Sequence, residues 1–249
     1  MPDQTARAYK ADRAARYDEE TQYDKGNRQQ HYDILIDLLK YTGKSRFDFC
    51  DLGCGTGTFI HAFFQVAPES HGLAVDASSE MIEIALRKLS GFGQNVKFIC
   101  CDFQHLEWRD FVAHFDVIFS SMAIHHLAHP DKWRLFQSIC NSLRPDGWFI
   151  LYDLICCQDP RDTHLLEYLA CSDIQRRLLS YLEADVVPEE LSIDKLIKND
   201  RELRLREGDM EAPLQEQVLA LRRAGFASVV AVFQDTRIVG FACAKASSI

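Results

Sequence analysis

Residues 47–57 read Phe47-Asp48-Phe49-Cys50-Asp51-Leu52-Gly53-Cys54-Gly55-Thr56-Gly57. An apolar run ends in an acid, Asp51, and three glycines follow at alternate positions. The stretch Phe59 to Phe64 is again apolar, with helical character. The pattern predicts strand, tight turn and helix. Glycines allow positive φ and bring backbone N–H groups close to a ligand at the start of a helix. A turn of this kind is compatible with a dinucleotide, a phosphate or a nucleoside, so its meaning depends on the residues downstream.

Two further apolar runs also end in acids: Gly72-Leu-Ala-Val-Asp76 and Val96-Lys-Phe-Ile-Cys-Cys-Asp102. Ser78 and Glu80 provide a cap and an acidic first turn for a helix over Met81–Leu89. Phe115–Ser120 is a fourth strand, Asp131–Leu143 a helix stopped by Arg144-Pro-Asp-Gly147, and Trp148–Asp153 a fifth strand. Strands alternating with helices at this spacing define an α/β fold with a parallel sheet and right-handed crossovers. Leu214–Ala224 reads as a helix, and Phe226–Phe233 with Ile238–Ala244 as a hairpin.

The spacing divides the chain into four parts. Residues 1–45 form an N-terminal helical lid, with an amphipathic helix over Gln29–Leu39. Residues 46–155 form the cofactor-binding core. Residues 156–212 break the rhythm and form a helical cap insertion, with helices near Thr163–Leu182 and Pro188–Leu196 and a polar linker or helix face over 197–211. Residues 213–249 complete the core.

Composition narrows the function. The chain has 249 residues, is 47% hydrophobic and carries a formal net charge of −9. That is the composition of a soluble globular protein, and the acidic balance gives no general attraction to nucleic acid. The nine cysteines form no C-x-x-C pairs at zinc spacing, so neither a metal nor a disulfide framework is expected. The polar N-terminus is no secretory signal, and no apolar run approaches about 20 residues, so the cytoplasm is the expected location.

In an open parallel sheet, ligands bind at the carboxyl ends of the strands. Three acids there, Asp51, Asp76 and Asp102, describe a nucleoside site. The second can accept from ribose hydroxyls, the third from an adenine amine, and Met81 and Phe103 can sandwich the base. A dinucleotide fingerprint would need glycine at position 58, where Thr58 stands, and a P-loop would need Gly-Lys-Ser/Thr. A ligand without pyrophosphate fits better.

With these residues in place the chain resembles the class I S-adenosylmethionine-dependent methyltransferases from about residue 30 onward. Cys50-Asp-Leu-Gly-Cys-Gly-Thr-Gly57, Leu73-Ala-Val-Asp-Ala-Ser-Ser-Glu-Met81, Phe115–Leu127, Leu143-Arg-Pro-Asp-Gly-Trp-Phe-Ile-Leu151 and Leu221-Arg-Arg-Ala-Gly-Phe226 carry the likeness. The resemblance implies a Rossmann-like seven-stranded mixed sheet of order 3-2-1-4-5-7-6, strand 7 antiparallel, with helices on both faces. It implies S-adenosyl-L-methionine as cofactor, its methionine moiety at the first glycine turn, its ribose on Asp76 and its adenine amine on Asp102. Cofactor contacts are accordingly expected from Asp51, Gly53, Cys54, Gly55, Thr56, Gly57, Asp76, Ala77, Met81, Cys101, Asp102, Phe103 and Ser120. Tyr23 and Arg28 are expected to close over the cofactor, as similar Tyr-Asp…Arg segments do in the small-molecule branch.

His125 and His126 follow the fourth strand, beside the expected methyl group, and are the candidate catalytic residues, since His suits proton transfer near neutral pH. Tyr17, Tyr152 and Asp153 are candidate substrate contacts. Ser120-Ser121-Met122 stands where nucleic-acid N-methylating relatives carry Asn/Asp-Pro-Pro-Tyr, and no Pro-Cys pair is present. These features favour a small-molecule acceptor, methylated at O, N, S or C, by a monomer or homodimer. Two alternatives remain: an enzyme that makes or uses a modified S-adenosylmethionine for transfer-RNA modification, and a non-catalytic S-adenosylmethionine-binding module.

Overall fold

The computed structural model describes residues 14, 17, 18, 28–183 and 186–246, with only the backbone of 108 and 109. The element order is α1 (Arg28–Tyr41), β1 (Asp48–Leu52), α2 (Thr58–Phe64), β2 (His71–Asp76), α3 (Ser79–Lys88), β3 (Val96–Cys100), β4 (Phe115–Ser121), α4 (His129–Ser142), β5 (Leu143–Cys156), α5 (Pro160–Tyr181), α6 (Ile193–Glu207), β6 (Ala212–Pro213), α7 (Leu214–Arg223), β7 (Phe226–Asp235) and β8 (Ile238–Lys245). The sheet order is β3-β2-β1-β4-β5-β8-β7, with the short β6 paired to β5. β8 runs antiparallel to both neighbours. This is the expected 3-2-1-4-5-7-6 order, with the two-residue β6 added.

Both faces of the sheet are covered. Leu52, Ile118, Ile139, Phe149, Leu221 and Phe241 belong to the core on one face. Leu35, Phe49, Phe63, Phe119, Ile150 and Tyr152 belong to the core on the other. Strand side chains alternate between faces, so Ile118 and Phe119 fall into opposite cores. Phe115 belongs to the same core as Ile118, at the point where the β4–β5 register shifts.

Local chemistry sets the helix ends near the site. Ser78 accepts the N–H of Met81 and caps α3, which has Glu80 in its first turn and Arg87 and Lys88 in its last. α2 starts at Gly57, whose φ of 75° is open to glycine.

Two boundaries of the sequence reading change. The C-terminal part of the expected N-terminal lid is core: α1 buries His31, Tyr32, Leu35, Ile36 and Leu39. Of the two readings of the polar stretch 197–211, the helix face holds and the linker does not: α6 continues to Glu207 with Lys198, Glu202 and Arg206 exposed, while other charges pair internally. Glu167 on α5 accepts from Arg201 at 3.0 Å and pairs with Arg204, and Arg237 beside the β7–β8 turn donates to Asp200 at 2.8 Å and pairs with Glu211. Charge density alone reads as exposure, whereas here opposite charges converge from three distant segments.

Candidate active site

The glycine turn is built against β2 and against the segment after β4. The N–H groups of Gly53 and Cys54 both donate to the carbonyl of Val75, at 2.8 and 3.0 Å. Gly53 has φ 74°, and a Cβ there would stand 2.2 Å from the Cβ of Ala123. Only glycine lets the two segments approach so closely. The N–H of Gly55 donates to Asp76 at 2.8 Å, and a second oxygen of Asp76 accepts from Ser78 N–H at 2.8 Å. Burial pushes the Asp76 carboxyl up, and those N–H groups pull it partly back.

Asp51 is almost fully buried, and its Oδ1 has no hydrogen-bond partner among the described residues. Burial, and then the nearby Asp76, push its carboxyl well above the usual range. A buried, unsatisfied carboxylate costs free energy unless a donor or cation meets it. A cationic ligand group would satisfy Asp51.

Two adjoining cavities open here. The larger is bordered by Asp76, Ala77, Met81, Phe103, Met122 and His126, among others. The smaller is bordered by Arg28, Tyr32, Asp51, Cys54, Thr56 and Phe59, among others. Tyr17, Gly53, Gly55 and Ser121 border both. The first has an apolar slot, Met81 and Phe103, beside a carboxylate. The second has a carboxylate, an Arg and the glycine-turn backbone. An amino-acid nucleoside matches this division.

The structure brings most expected cofactor residues to these cavities, but not all. Ser120 is buried, with its hydroxyl donating to Leu52 O at 2.7 Å. Ser121, the next residue on β4, takes the cavity position, and its Oγ lies 2.9 Å from the hydroxyl of Tyr32. The one-residue error is a strand-face error, and the alternation of β4 is the signal that identifies Ser121. Asp102 turns to cap the short helix Phe103–His105, accepting from Gln104 N at 2.8 Å. Neither Asp102 nor Cys101 borders the two cavities, nor does Gly57, which instead packs on Ala85 and Leu89.

Of the N-terminal candidates, Tyr17 borders both cavities, and Arg28 borders the smaller. Arg28 donates to the Tyr32 hydroxyl at 2.9 Å and lies 5.9 Å from the Tyr17 ring centre. Tyr23 lies outside the described residues. Asp18, which the sequence reading did not single out, accepts from Thr56 and Lys88, both at 2.6 Å. It ties the N-terminal segment to the glycine turn.

The candidate substrate contacts Tyr152 and Asp153 do not face the cavities. Tyr152 is buried between α1 and the sheet, 3.3 Å from His31 Nδ1. Asp153 is buried and bonded to His125 Nδ1. His125 therefore stands behind the cavity, and His126 borders it. Behind His126 lies Asp209, 3.0 Å from its Nδ1 and 3.8 Å from His125 Nε2. Asp209 belongs to the cap insertion, and no local spacing in the sequence connects it to the histidines.

Residues 49–147 match the model of the methyltransferase domain. The chain thus carries a methyltransferase domain within a Rossmann-like fold, and these findings support a class I S-adenosylmethionine-dependent methyltransferase, an enzyme that uses S-adenosylmethionine. It is 21% identical over 217 residues to a carboxy-S-adenosyl-L-methionine synthase of Nautilia profundicola, covering 87% of this chain and 85% of that one. It is 32% identical to a malonyl-[acyl-carrier protein] O-methyltransferase of Hahella chejuensis, over 50% of this chain and 46% of the relative. Among solved structures, the CurJ carbon methyltransferase matches 91% of this chain and 57% of its own at TM-score 0.61 and 15% identity. Magnesium protoporphyrin IX methyltransferase from Synechocystis PCC 6803 with bound SAH matches 90% and 86% at TM-score 0.58 and 14% identity. No helix among the described residues is long and apolar enough to cross a membrane.

Proposed function

We propose that this chain transfers a methyl group from S-adenosylmethionine to an O, N, S or C atom of a small-molecule acceptor. The supporting observation is the pairing of Asp51 with Asp76 across the glycine turn, one carboxylate in each of two joined cavities. Asp76 would hold the ribose, Met81 and Phe103 the base, and Asp51 the methionine ammonium. Arg28 lies on the same side, where it would meet the methionine carboxylate. The bound sulfonium supplies an already activated methyl group. The protein's task is then alignment, and proximity and orientation supply about 7–11 kcal/mol. His126 and Tyr17 border the nucleoside cavity and would contact the acceptor. Asp209 and Met210 close the site from behind, since Met210 N–H donates to His125 O at 2.7 Å.

A second reading is favoured by the relative that matches across 87% of this chain: synthesis of carboxy-S-adenosylmethionine. That chemistry handles a carboxylate next to the sulfonium, which calls for a cation. The carboxylates behind His126 are Asp209 and Asp153, the nearby ammonium of Lys132 donates to Met210 O, and Arg201, Arg204 and Arg237 are engaged by Glu167, Asp200 and Glu211. This arrangement favours the methyl-transfer reading. The reading also places the protein in the cytoplasm, without a nucleic-acid partner.

A donor-dependent screen over phenols, thiols, amines, carboxylates and a carrier-bound thioester tests it. Methylated product with stoichiometric S-adenosylhomocysteine supports the proposal. Binding of the donor with no product from any class, or carboxylated donor as the product, overturns it.

A further inference from the structure

His125 and His126 sit on the short helix Ile124–His126 after β4, and Asp209 lies just past Gly208, which ends α6 with a φ of 76°. The bond from Met210 N–H to His125 O pins the two segments together. We propose that His125 Nε2, His126 Nδ1 and an oxygen of Asp209 form a binding site for a divalent first-row transition cation.

Four observations carry this. First, the donor atoms of all three residues lie within 4.8 Å of one another, two of the separations being 3.0 and 3.8 Å. Ligands bonded at about 2.0–2.2 Å stand roughly 3 Å apart, so little movement is needed to receive an ion. Second, the other nitrogen of His125 is bonded to the buried Asp153, whose Oδ1 also accepts from Leu154 N–H at 2.9 Å. Metal-ligating histidines characteristically donate their second nitrogen to a carboxylate, which fixes the tautomer and strengthens the ligand. Third, the side chains of Asp153 and Asp209 are almost fully buried, at 1% and 4% exposure. The buried ammonium of Lys132 donates to Met210 O at 2.8 Å beside them, so the cluster sits in a low-dielectric setting where charge on a ligand is strongly felt. Fourth, His126 borders the cavity, so the site adjoins the acceptor side. Two imidazoles and one carboxylate suit Mn, Fe, Co or Zn ions better than Mg or Ca.

Resting on the methyl-transfer reading, the site favours acceptors that present a hydroxyl or another oxygen ligand. A bound cation lowers the pKa of such a hydroxyl, and the released proton leaves to solvent.

Titration of the chelator-treated full chain with Co2+ tests the site. The expected result is one equivalent bound, with visible ligand-field bands and without thiolate charge transfer, which separates it from the nine cysteines. Asp209→Asn and His126→Gln should lose the bands, and Asp153→Asn should weaken binding about 10–100-fold. Circular dichroism reports that each variant is folded. Absence of bound Co2+ in the folded parent chain, a thiolate spectrum, or unchanged affinity in folded Asp209→Asn or His126→Gln would overturn the site. Donor calorimetry on the same samples keeps the two claims apart: cobalt without donor binding sinks the methyltransferase reading, and donor without cobalt sinks this one.

Discussion

The carboxylate of Asp76 accepts the backbone N–H of Gly55 at 2.8 Å, so the acid at the end of β2 and the glycine turn after β1 are one mechanical unit. Asp76→Ala should therefore act twice. It removes the ribose acceptor, and each hydrogen bond to a charged group contributes about 1.5–3 kcal/mol. Two such bonds correspond to at least about a hundredfold loss of donor affinity, since about 1.4 kcal/mol is a factor of ten. It also strips the acceptor from Gly55 and Ser78, so the thermal midpoint should fall. Calorimetry and thermal unfolding read the two effects separately.

Asp51 should make donor binding pH-dependent. Burial raises its carboxyl well above the ordinary 3.8, so the free protein binds more protons folded than unfolded. Stability of the free chain should decline as pH rises from about 3.8 through the raised value. A donor ammonium favours the carboxylate, so the donor's stabilising increment in thermal unfolding should grow over the same window. Asp51→Asn should flatten that growth. An increment that does not change with pH in the parent chain would remove Asp51 from the cofactor site.

Gly53→Ala combines positive φ with a direct overlap on Ala123. The left-handed conformation costs a non-glycine residue about 1–2 kcal/mol, and the 2.2 Å approach forces a shift besides. Folded Gly53→Ala should bind donor far more weakly. Gly43→Ala, also at positive φ but with open space around its Cβ, should lower stability modestly and leave donor binding intact.

Glu167 holds the cap insertion together. Burial alone would raise its pKa, but Arg201 and Arg204 outweigh that and hold it at about 2, against 4.5 unperturbed. Its contribution is fully present above 4.5 and is lost as pH falls toward 2. Glu167→Gln should destabilise by about 3 kcal/mol, the lower end for breaking a buried pair, because Arg201 is half-exposed. Chemical denaturation at neutral and acidic pH should show the difference shrinking as pH falls.

The order of the sheet, and the placing of Asp51 and Asp76 beside the cavities, were legible because they lie on strands that end at one edge. Asp51, Asp76 and the three glycines needed only local sequence. The failures share a cause: each depends on a distant partner. Ser120 and Ser121 differ by which face of β4 meets the cavity. Tyr152 is drawn under α1 by His31 and Tyr32. Asp209 reaches His126 from the far end of an insertion whose polar composition reads as solvated. Asp18 meets Thr56 and Lys88 from a segment with no periodicity of its own.

Asp18 links that segment to cofactor binding. Asp18→Asn removes the charge opposite Lys88 while keeping the shape, and Lys88 is three-quarters buried. The account predicts a several-fold weaker donor affinity with little change in global stability. Equal affinity would mean that the N-terminal segment only rests on the turn.

The most direct measurement is calorimetry of the intact chain with S-adenosylmethionine and with S-adenosylhomocysteine. The account predicts saturable binding of each at one site per chain, lost in folded Asp76→Ala. Absence of binding of both ligands to folded protein, or unchanged binding in Asp76→Ala, would contradict it.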